Sequence, residues 1–172
     1  MTKFFKYAFL FSAALLINAN LLHAQTLKLG HINSADLIQA MPETKGADSS
    51  LAKYKKSLED NMKSMTAEYQ SKLSTYQQQS ETMADAVRKT KEKELEDLGS
   101  RIQDFQQTAQ ESVQKKREEL YGPILKKADA AIKALAKEKG YSYIFDTSAG
   151  ALLHSQESDD IMALVKTKLG IK

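Results

Sequence analysis

The stretch that decides the fold begins DSSLAKYKKSLEDNMKSMTAEYQSKLSTYQQQ, residues 48–79, and continues to Tyr121. Between Asp48 and Tyr121 there is no proline, and the single glycine is Gly99. The large apolar residues fall at Leu51, Tyr54, Leu58, Met62, Met65, Tyr69, Leu73 and Tyr76, in steps of three and four, with Met83 and Val87 beyond. Leu51, Met62 and Leu73 share one phase of an eleven-residue repeat, and Tyr54, Met65, Tyr76 and Val87 share another. Eleven residues over three turns is ~3.67 per turn, which gives a straight or slightly right-handed seam. One amphipathic helix cannot bury such a stripe alone, so it needs a partner helix.

Residues Lys91 to Ile124 supply one, with a second seam at Leu95, Leu98, Ile102, Phe105, Ala109, Val113, Leu120 and Ile124. Two arms of similar length and period predict an antiparallel helical hairpin. With Leu51 set opposite Ile124, the reversal falls at Asp85–Lys91. Arms of about 35 residues would reach ~50 Å, longer than a compact domain needs, so a protrusion is expected.

Outward from the hairpin, residues 1–24 read as a secretory signal peptide. Lys3 and Lys6 give a basic start, Tyr7 to Ile17 an apolar core, and Ala24 a small residue before the cut. Export to the periplasm follows. Leu27 to Asn33 alternates like a strand. Asn33 is placed to cap a short helix through Leu37, Ile38 and Met41, and Pro42 to open the long arm.

Past the arm, Tyr121-Gly122-Pro123 predicts a kink or a fresh helix start, because an internal proline costs the helix a hydrogen bond and clashes one turn back. A packing helix (Ile124, Ala128, Ala131, Ile132, Leu135) then stops at Gly140. Tyr141–Asp146 reads as a strand, Thr147–Gly150 as a turn and Ala151–Ser155 as the returning strand, so a β-hairpin is expected. Ser158 is placed to cap a last helix, with Asp159 and Asp160 in its first turn and Ile161, Leu164, Val165 and Leu169 inward.

The fold class is therefore mainly α with a small β body, a long antiparallel helical hairpin inserted in a small α+β oligomerisation domain. The arm covers 48–121, with its tip near 85–93, and the body takes 25–47 and 122–172. A sheet this small leaves edges and one face open, so association through Leu29, Ile32, Ile144, Phe145, Leu152 and Leu153 is expected.

Composition narrows the function. The 172 residues carry +3, and losing Lys3 and Lys6 leaves about +1, no concentrated basic face for nucleic acid. Cysteine is absent, which excludes disulfides and zinc-thiolate sites. His31 and His154 have no nucleophile or paired acid near them in sequence, and there is no phosphate loop or metal-ligand spacing. Neither an enzyme nor a cofactor is indicated.

The order Gly30-His31-Ile32-Asn33, Met41-Pro42-Glu43, the charged hairpin, Tyr121-Gly122-Pro123-Ile124, Ala136 to Tyr141 and Ile144-Phe145-Asp146 resembles the Skp/OmpH family of periplasmic chaperones. The resemblance implies a homotrimer with helical tentacles that holds unfolded outer-membrane β-barrel proteins without ATP. This chain differs from the strongly basic members in being near neutral once processed, and no lipopolysaccharide site is carried over.

A surface for diverse apolar clients should be adaptable. Met62, Met65 and Met83 are flexible and polarisable, and Tyr69 and Tyr76 are amphipathic. The plainer reading is that these residues pack arm on arm. At the tip, Arg88, Lys89, Lys91 and Lys93 are either an ordinary solvated helix end or a site of attraction for acidic clients and transient contact with anionic lipid. The competing class is a structural coiled-coil scaffold or spacer of the cell envelope, whose seam would run between chains.

Overall fold

The computed structural model describes residues 27–150 and 152–171, so the expected signal peptide lies outside the described residues. The order is β1 (Leu29–Ile32), α1 (Ser34–Ala40), α2 (Pro42–Gln79), α3 (Asp85–Lys139), β2 (Tyr143–Asp146), a 3-10 turn (Glu157–Asp159) and α4 (Met162–Leu169).

The helix ends follow from local chemistry. The Asn33 side chain accepts from the N–H groups of Ala35 (3.1 Å) and Asp36 (3.2 Å), satisfying donors that α1 cannot pair internally. Met41 is extended, at φ −71 and ψ 129, as a residue before proline prefers. Pro42 then opens α2, where a missing N–H costs nothing. At the far end Gly140 takes φ 70 and closes α3, and Lys28 Nζ donates to the Lys139 carbonyl at 3.0 Å.

Pro123 does not break the helix: α3 runs through it for 55 residues, ~80 Å at the usual rise. The clash a proline makes with the Cβ of its predecessor is absent, because that predecessor is Gly122. Leu120 and Ile124 on either side pack into the body core and offset the lost hydrogen bond, so no fresh helix starts there.

The reversal between the arms is at 80–84, not at Asp85–Lys91, which forms the opening turns of α3. Thr82 and Met83 both donate backbone N–H groups to the Gln79 carbonyl, at 3.0 and 3.1 Å. The register explains the difference. Asp48 meets Tyr121 and Glu43 meets Lys127, while Ile124 lies in the body core with Ala47 instead of facing Leu51.

The body core gathers Ile32, Leu37, Met41, Ala47, Ile124, Ala128, Ala131, Leu135, Ile161 and Val165. A fully buried Leu37 or Val165 contributes roughly 2 kcal/mol by removal from water. The small residues of α3 let its last turns approach α1 and α4 closely. β1 and β2 pair in parallel, Leu29 with Tyr143 through Ile32 with Asp146, because the whole hairpin serves as their crossover.

The expected returning strand is not formed. Residues 152–156 are irregular, and the neighbour that β1 takes on its other side is Asp160, which bridges His31 in parallel while the Ile161 N–H donates to the His31 carbonyl at 3.0 Å. Two adjacent leucines, Leu152 and Leu153, lack the alternation that a one-sided strand needs, and Leu153 is 100% exposed. Ser158 likewise does not cap the last helix. Asp160 Oδ1 accepts the Met162 N–H at 2.7 Å, and α4 begins there, with Ile161 and Val165 buried and Leu164 outward.

Candidate functional site: the groove between the arms

Along α2 the seam residues Leu51, Tyr54, Leu58, Met62, Met65, Tyr69, Leu73 and Tyr76 are all half-buried. Two helices meet along a line, so each side chain gives one flank to its partner and keeps the other in solvent. The seam is not uniform, however. It is clasped by polar contacts at the base and by buried leucines toward the tip, and opens widest in the middle.

At the base, the Tyr121 hydroxyl donates to Asp48 and Lys127 pairs with Glu43. The Asp48 carboxylate raises the Tyr121 phenol above its ordinary value, and the hydrogen bond from Lys127 lowers Glu43. Toward the tip, Leu95 and Leu98 are buried, Leu98 to 3%. There the Tyr69 ring lies over Gly99, where an added Cβ would come 3.7 Å from the ring. The Tyr76 hydroxyl donates to Glu92 Oε1 at 2.6 Å, which raises the phenol, and Lys72 reaches Glu94 at 3.7 Å.

Between these clasps lies a groove of about 610 Å³, floored by Leu58, Met62, Phe105, Ala109 and Val113 and rimmed by Lys55, Glu59, Lys63, Gln106 and Gln110. Ala109 is the cause: a small residue in the seam between Phe105 and Val113 leaves space that the large residues of α2 do not fill. The floor is apolar and the rim is long and polar. Such a surface offers area and fit, with no directed chemistry.

The sequence candidates separate accordingly. Met62 lines the groove. Tyr69 and Tyr76 belong to the distal clasp, Met65 is half-buried between the two regions, and Met83 sits half-buried in the reversal. Leu58, Phe105, Ala109 and Val113 are seam positions by their spacing, and the signal for a groove among them is the alanine opposite large side chains. Near the tip, Arg88 pairs with Asp85 at 2.7 Å and Lys91 with Glu94 at 2.9 Å, so half the cation cluster is internally neutralised. Lys89 and Lys93 make no ion pair among the described residues.

In the body, Ile32 is 2% exposed and so not available to a partner as expected, while Ile144 is half-buried against the chain's own core. The opposite face of the sheet is open: Leu29, Tyr143 and Phe145 are 44%, 59% and 45% exposed, and the two rings stack at 6.5 Å. Leu152 is half-buried. Among the described residues no group of three or more His, Asp or Glu could hold a metal ion, and no helix is long and apolar enough to cross a membrane.

Comparison with known proteins gives these features a family. Residues 28–169 match the model of the family described as "Outer membrane protein (OmpH-like)". The chain is 27% identical over 142 residues to the chaperone protein Skp of Photorhabdus luminescens, covering 80% of this chain and 82% of that one. A crystal structure of an OmpH-like protein from Caulobacter crescentus CB15 superposes with a TM-score of 0.72 over 83% of each chain at 13% identity. At that identity the likeness speaks to the fold alone, while the family match runs from the first strand to the last helix: the chain belongs to the Skp/OmpH family of chaperones.

Proposed function

We propose that this protein is an ATP-independent holdase of the periplasm, which binds unfolded outer-membrane β-barrel proteins and keeps them soluble until assembly. The observation that carries the reading is the open groove within a long exposed arm: a stripe of Leu58, Met62, Phe105 and Val113 that the arm itself leaves half-covered. An unfolded barrel strand offers alternating apolar side chains, and several weak contacts along one arm add through effective concentration. Methionine in the floor adapts to side chains of different shape.

The uncovered sheet face at Leu29, Tyr143 and Phe145 supports assembly through the body, and a homotrimer is the proposed state. Three arms on one platform would enclose a client. The scaffold reading is disfavoured by the fold-back of α2 on α3 within a single chain, which pairs the two seams inside the chain where a scaffold would pair them between chains. Native mass spectrometry with and without a urea-denatured β-barrel protein tests the proposal. One client per three chains is the expected mass, and a single chain that never acquires a client would overturn it.

A further inference from the structure

Met62 has a chemistry that the binding of apolar chains does not use. It stands on the groove floor with Leu58, Phe105, Ala109 and Val113. In the eleven-residue repeat its phase-mates, Leu51 and Leu73, are leucines. Leucine and methionine fill similar volumes and favour a helix about equally, so packing alone does not select a thioether at this position. What methionine adds is a sulfur that takes up oxygen.

The rest of the chain leaves that reaction to methionine. Cysteine and tryptophan are absent, so an oxygen-donating oxidant meets no thiol and no indole. Met41, Met62, Met65, Met83 and Met162 lie among the described residues, in different surroundings. Met41 is sealed in the body core at 1% exposure, and Met162 packs against that core. Met62 is half-buried and lines a groove open to solvent, where a small dissolved oxidant reaches the floor.

We propose that Met62 is an oxidation site through which a peroxide switches the groove off. A sulfur lone pair attacks one oxygen of hydrogen peroxide. The S–O bond forms as the O–O bond breaks, and the departing hydroxide takes the proton from the new S–OH and leaves as water. Sulfur loses two electrons, peroxide gains two, and the product is the sulfoxide, which methionine sulfoxide reductases return to the thioether. The other floor side chains are hydrocarbon and offer the new oxygen no donor; the donors are Lys55, Lys63, Gln106 and Gln110 on the rim. Satisfying the oxygen therefore holds water on the floor or draws a rim side chain across it, and an apolar occupant must displace one or the other. Release of clients by peroxide rests on the holdase reading; the chemistry at Met62 does not.

The test reads the two apart. The full chain is exposed to hydrogen peroxide, quenched with free methionine at intervals and mapped by mass spectrometry, since Met41, Met62, Met65, Met83 and Met162 each fall in a separate tryptic peptide. The same samples are read for anilinonaphthalene sulfonate fluorescence and for retention of a denatured β-barrel protein. Met62 should gain oxygen many-fold faster than Met41. Dye binding and retention should each fall several-fold in step with the Met62 sulfoxide, and recover after treatment with the reductases. In Met62→Leu the ratio of treated to untreated dye signal should stay near unity, whatever its starting level. Oxidation of Met62 no faster than that of Met41, a dye signal indifferent to the Met62 sulfoxide, or an equal loss in Met62→Leu would each overturn the inference. A chain that retains no client even untreated would sink the holdase reading alone, and the dye would still decide the switch at Met62.

Discussion

Asp146, the last residue of β2, is bound to Ser34, the first residue of α1: its carboxylate accepts the Ser34 N–H at 3.1 Å and the Ser34 hydroxyl at 2.5 Å. The Ser148 N–H adds a third bond at 2.9 Å. An anion is thus fixed at a helix N-terminus, and the two ends of the inserted hairpin are tied together beside the sheet.

Burial raises the Asp146 pKa, but the hydrogen bonds from the Ser34 hydroxyl and the Ser148 and Ser34 N–H groups outweigh it and hold the group at about 2, against an ordinary 3.8. A depressed folded value means that its stabilisation is present above pH 3.8 and is lost as pH falls toward 2. Solvent screening at this exposed position leaves an effect of ~1 kcal/mol. Asp146→Asn should lower the melting temperature near neutral pH, and the gap from the unmodified protein should close as pH falls through that window. A gap independent of pH would contradict the assignment.

Gly30 lies beneath the Tyr141 ring, and an added Cβ would sit 3.0 Å from Tyr141 Cε1 and 3.1 Å from Ile161 Cγ2. Gly30→Ala should destabilise the body by ~1–3 kcal/mol, the usual cost of forcing an extra carbon into a packed site. Urea unfolding monitored by circular dichroism reads this directly. An unchanged midpoint would show that the ring moves aside freely.

The groove and the distal clasp should respond differently to mutation. Met62→Ser with Phe105→Ser removes groove floor without emptying a buried position, so client retention should fall several-fold while helicity and assembly persist. Leu98→Ala empties a buried site and should cost ~2–4 kcal/mol of arm stability. Retention assays paired with thermal melts separate the two. If the Met62 and Phe105 changes unfold the arm first, those side chains are structural.

On the proposed homotrimer, Tyr143→Ser with Phe145→Ser should dissolve the assembly. Both rings are exposed in the single chain, so their loss costs the isolated fold little and the interface much. Sedimentation velocity should show the variant as a folded monomer. An unshifted assembly would place the interface elsewhere on the body.

The arms were legible in the sequence because an eleven-residue apolar period sustained over several turns fits a helix and no other element. Their register was not. Ser80-Glu81-Thr82-Met83-Ala84 contains neither glycine nor proline, so nothing local marks the reversal, and Ile124 looked like seam although the body core takes it. Pro123 sits inside α3 although it costs a hydrogen bond; Gly122 before it removes one of the clashes that proline makes, and core packing by Ile124 offsets the lost bond. The strand expected to return from β2 at Ala151–Ser155 failed because the adjacent leucines Leu152 and Leu153 lack alternation; the further neighbour of the sheet is Asp160, which bridges His31 on β1 from far along the chain. The groove was half legible. Met62 stood out by its chemistry, but its depth comes from Ala109 on the opposite helix, which only the register brings there.

Light scattering of a urea-denatured outer-membrane β-barrel protein, diluted into buffer at physiological salt with and without this chain, tests the central claim most directly. Scattering should be suppressed without nucleotide once three chains are present per client, and the Met62→Ser, Phe105→Ser variant should suppress it less at the same concentration. A scattering curve identical to that of buffer alone would contradict the holdase reading.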